Sequence, residues 1–120
     1  MTICNRMTRS RVSLAQLDDD DFAHCADDRA KVRRITRAMQ RGAVVPAIFV
    51  IRLRGELLLI QGTEQTAAAD RLGVEELDAI VFNATSDSEA DQVGAVGFGL
   101  AESGADVWAG LRAYGTLLAA

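Results

Sequence analysis

Two stretches near the start of the chain carry residue types that do chemistry, and their spacing decides what kind. Asp18 to Asp21 are four successive carboxylates, the raw material of a divalent-cation site. A calcium loop, however, spaces its acids and needs a central glycine and a distal glutamate, none of which follow here. The run reads instead as a solvated acidic loop placed just before a helix, whose N-terminal dipole favours negative charge. His24 stands beside Cys25, but adjacent side chains diverge and a nucleophile must meet its base through space. Cys4 and Cys25 match neither a redox pair nor a zinc-ligand spacing, and unpaired thiols fit a reducing compartment. No metal site is predicted.

The second stretch is basic. Arg29, Lys31, Arg33, Arg34, Arg37 and Arg41 fall on the outer face of a helix expected from Asp27 or Asp28 to Gln40 and ended by Gly42. Val32, Ile35 and Met39 form its inward face at three- and four-residue spacings. Such a row has the chemistry to neutralise nucleic-acid phosphates. The preferred reading is a solvated face paired in part with Asp27, Asp28 and the Asp18 to Asp21 run, since no aromatic residue is present to stack on bases. Both readings stand at this point.

The elements that must position any site lie between Val45 and Ala84. Ala47 to Leu53 and Leu57 to Gln61 are rich in aliphatic and β-branched residues, and the Arg54-Gly55-Glu56 break between them has hairpin length. Pro46 sets the entry to the first of these strands. Arg11 to Leu17 alternates apolar and polar residues and predicts an earlier strand. Gly62 and Thr63 stop the hairpin, Thr63 to Leu72 predicts a short helix closed by Gly73, and Leu77 to Asn83 predicts another strand. Gly62, Thr63, Glu64 and Gln65 thus sit where a helix start offers backbone amides to an anion, with Arg52 and Arg54 the nearest candidate bases. Glu64 opposes a phosphate there. The competing reading has Thr63 as helix cap and Glu64 stabilising the first turn.

The order of these elements, with Arg41-Gly42, Pro46, Ile48, Val50, Gly55, Gln61-Gly62, Ala67 to Ala69, Leu72-Gly73 and Ala79 to Val81, resembles the superfamily of ParB N-terminal domains and sulfiredoxin over roughly residues 11–84. The resemblance implies a small α/β domain with a mixed sheet. It also implies a turn of the form G-x-x-R or G-x-R-R whose basic residues and amides hold nucleotide phosphates. Gly62-Thr63-Glu64-Gln65 lacks both arginines, which marks a degenerate member. Thr63 stands where sulfiredoxin chemistry needs a cysteine, so that activity is rejected. No cofactor is expected; the alternative is CTP or ATP with magnesium.

Beyond Asn83, Ser86 predicts the cap of a helix through Val93, Val96 and Leu100. Gly94, Gly97 and Gly99 run in the wrong order for a dinucleotide loop and suit close packing against a neighbouring helix. Asp106 to Leu118 predicts a last helix, with Trp108, Leu111, Tyr114 and Leu118 as a candidate interface stripe that serves equally to close the core. The expected organisation is a flexible segment 1–10, the α/β domain 11–84 and a helical extension 85–120. That extension is too short for the DNA-binding domain that follows in partition proteins.

A chain of 120 residues, 49% hydrophobic and 25% charged, suits one soluble globular domain. Charge is divided sharply: residues 1–54 hold 11 bases and 6 acids (+5), residues 55–120 hold 2 and 11 (−9), which together give −4. No secretory signal and no run of roughly 18 apolar residues is present, so cytoplasm is the expected compartment and no membrane association is expected. These features predict a non-catalytic ParB-like regulatory or interaction protein associated with DNA maintenance or plasmid or phage biology. Its partner would be a second copy or another protein, with nucleic acid as a further candidate. The alternative is a nucleotide-binding or metal-dependent DNA-acting enzyme, a nuclease or kinase.

Overall fold

A computed structural model describes residues 6–18 and 29–119. Strands β1 (Met7–Ser13), β2 (Leu17–Asp18), β3 (Ile48–Leu53), β4 (Glu56–Gln61) and β5 (Glu76–Asn83) build one sheet in the order β1-β5-β3-β4-β2. Among the described residues four α-helices accompany it: α1 (Arg29–Gln40), α2 (Thr63–Arg71), α3 (Asp87–Glu102) and α4 (Val107–Ala119). β3 runs antiparallel to β4 and parallel to β5, and β5 runs antiparallel to β1. The sheet is therefore mixed, as expected.

Both faces of the sheet are covered, which explains why β3 and β5 read as continuous apolar runs. Phe49, Ile51, Leu53, Ile80 and Phe82 point to one side, where Ala90 and Val93 of α3 and Leu111 of α4 meet them. Ile48, Val50, Leu77, Ala79 and Val81 point to the other, against Ala69 of α2 and Met39 of α1. Ile48, Phe49, Val50 and Ile51 are all 0% exposed. The hairpin between β3 and β4 turns on Arg54 (φ 52°) and Gly55 (φ 82°), a pair of left-handed residues whose twist matches the flanking strands.

The first strand departs from expectation. It runs Met7–Ser13 and does not continue to Leu17: the Ser13 hydroxyl accepts from the Ala15 amide and starts a 3₁₀ turn over Leu14–Gln16. Alternation of Val12 and Leu14 mimicked one continuous strand. The described part of the segment expected to be flexible, residues 6–10, belongs to this strand and its approach. Arg6 anchors it, gripping Glu89 at the start of α3 with both terminal nitrogens (Nη2 to Oε2 2.6 Å) and lying 5.0 Å from the centre of the Phe82 ring. The Glu89 carboxylate also accepts from the Thr85 amide at 2.9 Å, and the Arg6 guanidinium holds its pKa down at about 2.

Glycines set how closely α3 and α4 approach. A Cβ on Gly97 would overlap the Phe49 ring, while one on Gly110 would come within 2.5 Å of Leu100 Cδ1. The expectation of helix-against-helix packing is thus corrected for Gly97, whose neighbour is the sheet, and Gly99 faces open space. Gly110 is the residue that brings the helix pair together.

Candidate functional site

The turn between β4 and α2 is fixed by Gly62. Its φ of 119° strains any L side chain, and a Cβ there would overlap Ile48 Cγ2 and lie 2.8 Å from Ile48 Cβ. Gly62 itself is the N-cap, its carbonyl accepting from the Thr66 amide at 2.9 Å, and no side chain caps the helix. Thr63 is therefore not the cap, as the sequence had suggested, but the first helical residue. The reason is backbone conformation: the left-handed step has to fall where glycine is. Thr63 Oγ1 donates to Glu64 Oε2 at 3.1 Å, and Thr66, fully buried, donates to the Thr63 carbonyl at 2.8 Å. Glu64 lies in the first turn, where the dipole stabilises it.

Neither Arg52 nor Arg54 reaches this turn. Gln61 pairs with Phe49, whereas Arg52 and Leu53 stand opposite Leu57 and Glu56, so both arginines are about 10 Å or more away along the strand. Arg54 is committed elsewhere, to Asp87 at 3.1 and 2.7 Å, and that pairing lowers the Asp87 pKa.

Next to the turn lies a cleft of about 920 Å³, at the end of the sheet where residues 44–47 approach β3. That is ample for a small ligand or a peptide segment. Gln61 and Gln65 form part of its wall, Lys31 and Ile35 of α1 another, Arg9 and Arg11 of β1 with Asp78 a third, and Trp108 a fourth. Gln65 is 4% exposed and its Oε1 has no hydrogen-bond partner among the described residues. Arg9 lies over Trp108, 4.6 Å from the ring centre, a cation–π geometry. Arg11 binds Asp78 at 3.1 Å, and the Asp106 carboxylate caps α4 by accepting from the Ala109 amide at 2.9 Å.

One member of each predicted set thus lines a single cavity: Gln65 from the turn, Lys31 from the basic helix, Trp108 from the terminal stripe. Gly62, Thr63 and Glu64 stay outside the lining. Arg29, Arg33, Arg34, Arg37 and Arg41 are exposed on the far side of α1, and no described carboxylate pairs with them. Asp19 to Asp28, the acids proposed to neutralise them, lie outside the described residues, as do His24, Cys25 and Cys4. Leu111 is corrected from interface to core: it is 0% exposed, and Trp108 and Tyr114, half-buried, pack against the same cluster. The Leu118 side chain lies outside the described ones. Among the described residues no three His, Cys, Asp or Glu side chains gather as a metal would need, and no helix is long and apolar enough to cross a membrane.

Sequence reasoning missed Arg9 and Arg11. Their spacing of two is a strand signal that puts both on the Met7 face of β1, yet only the long-range pairing of β1 with β5 brings that face to Trp108.

No protein-family model matches the chain and no curated protein is similar to it. Solved structures are. Sulfiredoxin from Arabidopsis thaliana superposes with a TM-score of 0.61 at 16% identity, over 73% of this chain and 97% of that one. A pNOB8-like ParB N-domain gives 0.60 at 18% identity, over 82% of this chain. ParB from Caulobacter crescentus, crystallised with CTP-γ-S, gives 0.55 at 16% identity over 74%. The chain spans 38% and 51% of those two partition-protein chains. Its fold is that of the ParB N-domains and sulfiredoxin.

Proposed function

We propose that this chain is a non-catalytic, ParB-like binding module, a regulatory or interaction protein of DNA maintenance whose cleft receives a ligand or a partner segment without turning it over. The observation that carries this reading is that the charged groups of the cleft already have partners within the protein. Asp78 is held by Arg11, Asp106 is spent on a helix cap and Arg9 rests on Trp108. A general acid or base needs a free proton-transferring group within reach of substrate, and a paired carboxylate serves recognition better. Gln65 and the Arg9–Trp108 stack are the recognition elements.

The second reading, a nucleotide site, draws on the CTP-γ-S bound to the Caulobacter protein. Against it stand Glu64 in the first turn of α2 and the distance of Arg52 and Arg54 from that turn. Titration calorimetry with CTP and with ATP, each with magnesium, separates the two. We expect no binding in the micromolar range. Trp108 is the single tryptophan, so its emission reports on the cleft during the same titrations. Micromolar binding that shifts this emission and is lost in Gln65→Ala would overturn the non-nucleotide reading.

A further inference from the structure

The outer face of α1 belongs to no site described so far. At 100° per residue, Arg29, Arg33, Arg34, Arg37 and Arg41 fall within an arc of about 140°, turned away from Val32, Ile35 and Met39. Arg41 lies past the helix end, but its amide still bonds to the Arg37 carbonyl at 3.1 Å, so it continues the same row. From Arg29 to Arg41 the row extends about 18 Å along the axis. Val32 is 2% exposed and secures the inner face, so the arginines are held on a rigid, packed element.

We propose that this face binds the phosphate backbone of duplex DNA without reading its sequence. Charge complementarity selects the occupant. All five residues are arginine, whose planar fork grips phosphate with two parallel hydrogen bonds, and none is spent on a described carboxylate. A membrane surface would call for bulky apolar residues to insert alongside the bases. The exposed positions between the arginines are Ala30 and Gln40, and the single exposed valine past Arg41, Val44, is too small an apolar surface to insert. A single strand would call for aromatic platforms, and α1 has none. What remains is a straight row of cations matched to a straight polyanion. Residues 55–120 carry −9, which disfavours DNA at the surfaces they form.

The test is anisotropy of a labelled mixed-sequence duplex titrated with the whole protein over a salt series. Five phosphate contacts predict a slope of log K on log salt of roughly −4 to −5, a loss of several hundredfold in affinity between about 50 and 200 mM. In Arg33→Gln/Arg37→Gln/Arg41→Gln the slope falls to roughly −2 and the loss to about tenfold. These side chains are exposed, so circular dichroism of the triple variant matches the wild type. Arg52→Gln, at the opposite end of the sheet, keeps the full slope. Absence of binding at low salt overturns the proposal, as does a slope that the triple variant leaves unchanged. Tenfold preference for one base sequence, equal binding to single strands, or binding to anionic vesicles with none to duplex overturns it too. None of these outcomes bears on the cleft, so this assignment and the proposed function fail separately.

Discussion

Removing the charge of Glu89 should loosen the clasp that ties the start of β1 to the start of α3. Arg6 and Glu89 are 13% and 25% exposed, and they are joined by two charge-assisted hydrogen bonds. A carboxyl pKa lowered from 4.5 to about 2 has a full linkage value of about 3 kcal/mol. Solvent at the rim of the pair screens part of this, leaving about 1–2 kcal/mol. The sign follows from the direction of the shift. A depressed carboxyl stabilises the fold above its unfolded pKa and loses that contribution as pH falls from 4.5 toward 2. Urea denaturation of wild type and Glu89→Gln should therefore differ by about 1–2 kcal/mol at pH 7, a fall in Tm of roughly 3–10 °C, and converge near pH 2–3. Arg6→Ala should cost at least as much, because it also removes the stacking on Phe82. A difference between wild type and Glu89→Gln that stays constant from pH 7 to 3 would show that the loss is packing and not charge.

Gly97→Ala should destabilise the protein by about 1–3 kcal/mol, since its methyl enters the Phe49 ring, whereas Gly99→Ala, facing open space, should be neutral or stabilising by up to about 1 kcal/mol; equal effects in urea titrations would refute the packing account. Leu111→Ala should cost about 2–5 kcal/mol and leave the solution mass unchanged, as measured by light scattering. An oligomer that dissociates in this variant without loss of stability would return Leu111 to an interface.

Local pattern revealed several elements and misread one, the strand it carried past Ser13 to Leu17. The β3–β4 hairpin was legible because aliphatic runs flank a two-residue turn, and α3 because Ser86 caps it, accepting from the Glu89 amide at 3.1 Å. α1 was legible from Val32, Ile35 and Met39. What stayed hidden depends on contacts far apart in sequence. Arg6 meets Glu89, and Arg9 meets Trp108, only after β1 has paired with β5 and the helix pair has packed over that face. Gly62 shows the limit differently. Thr63 is the better capping residue by type, yet the left-handed φ and the contact with Ile48 leave glycine alone at the cap. The stripe on α4 was ambiguous in principle, because apolar spacing states that a face is buried and not by what.

α1 is where the two proposed surfaces come closest. Its inner half lends Lys31 and Ile35 to the wall of the cleft, while its outer half carries the five exposed arginines. A helix packed through Val32 moves as a body, so a ligand that displaced Ile35 would displace the arginine row with it. Coupling between two sites is reciprocal: DNA on the outer face would then alter occupancy of the cleft by the same factor. The turn at Gly62 is packed differently. It is pinned against Ile48 in the centre of the sheet, and α2 presents Ala68 and Ala69, both fully buried, to the same core. Of the residues that line the cleft, Lys31 and Ile35 are the ones that share a helix with the arginine row, so α1 is the direct link between the two proposed surfaces.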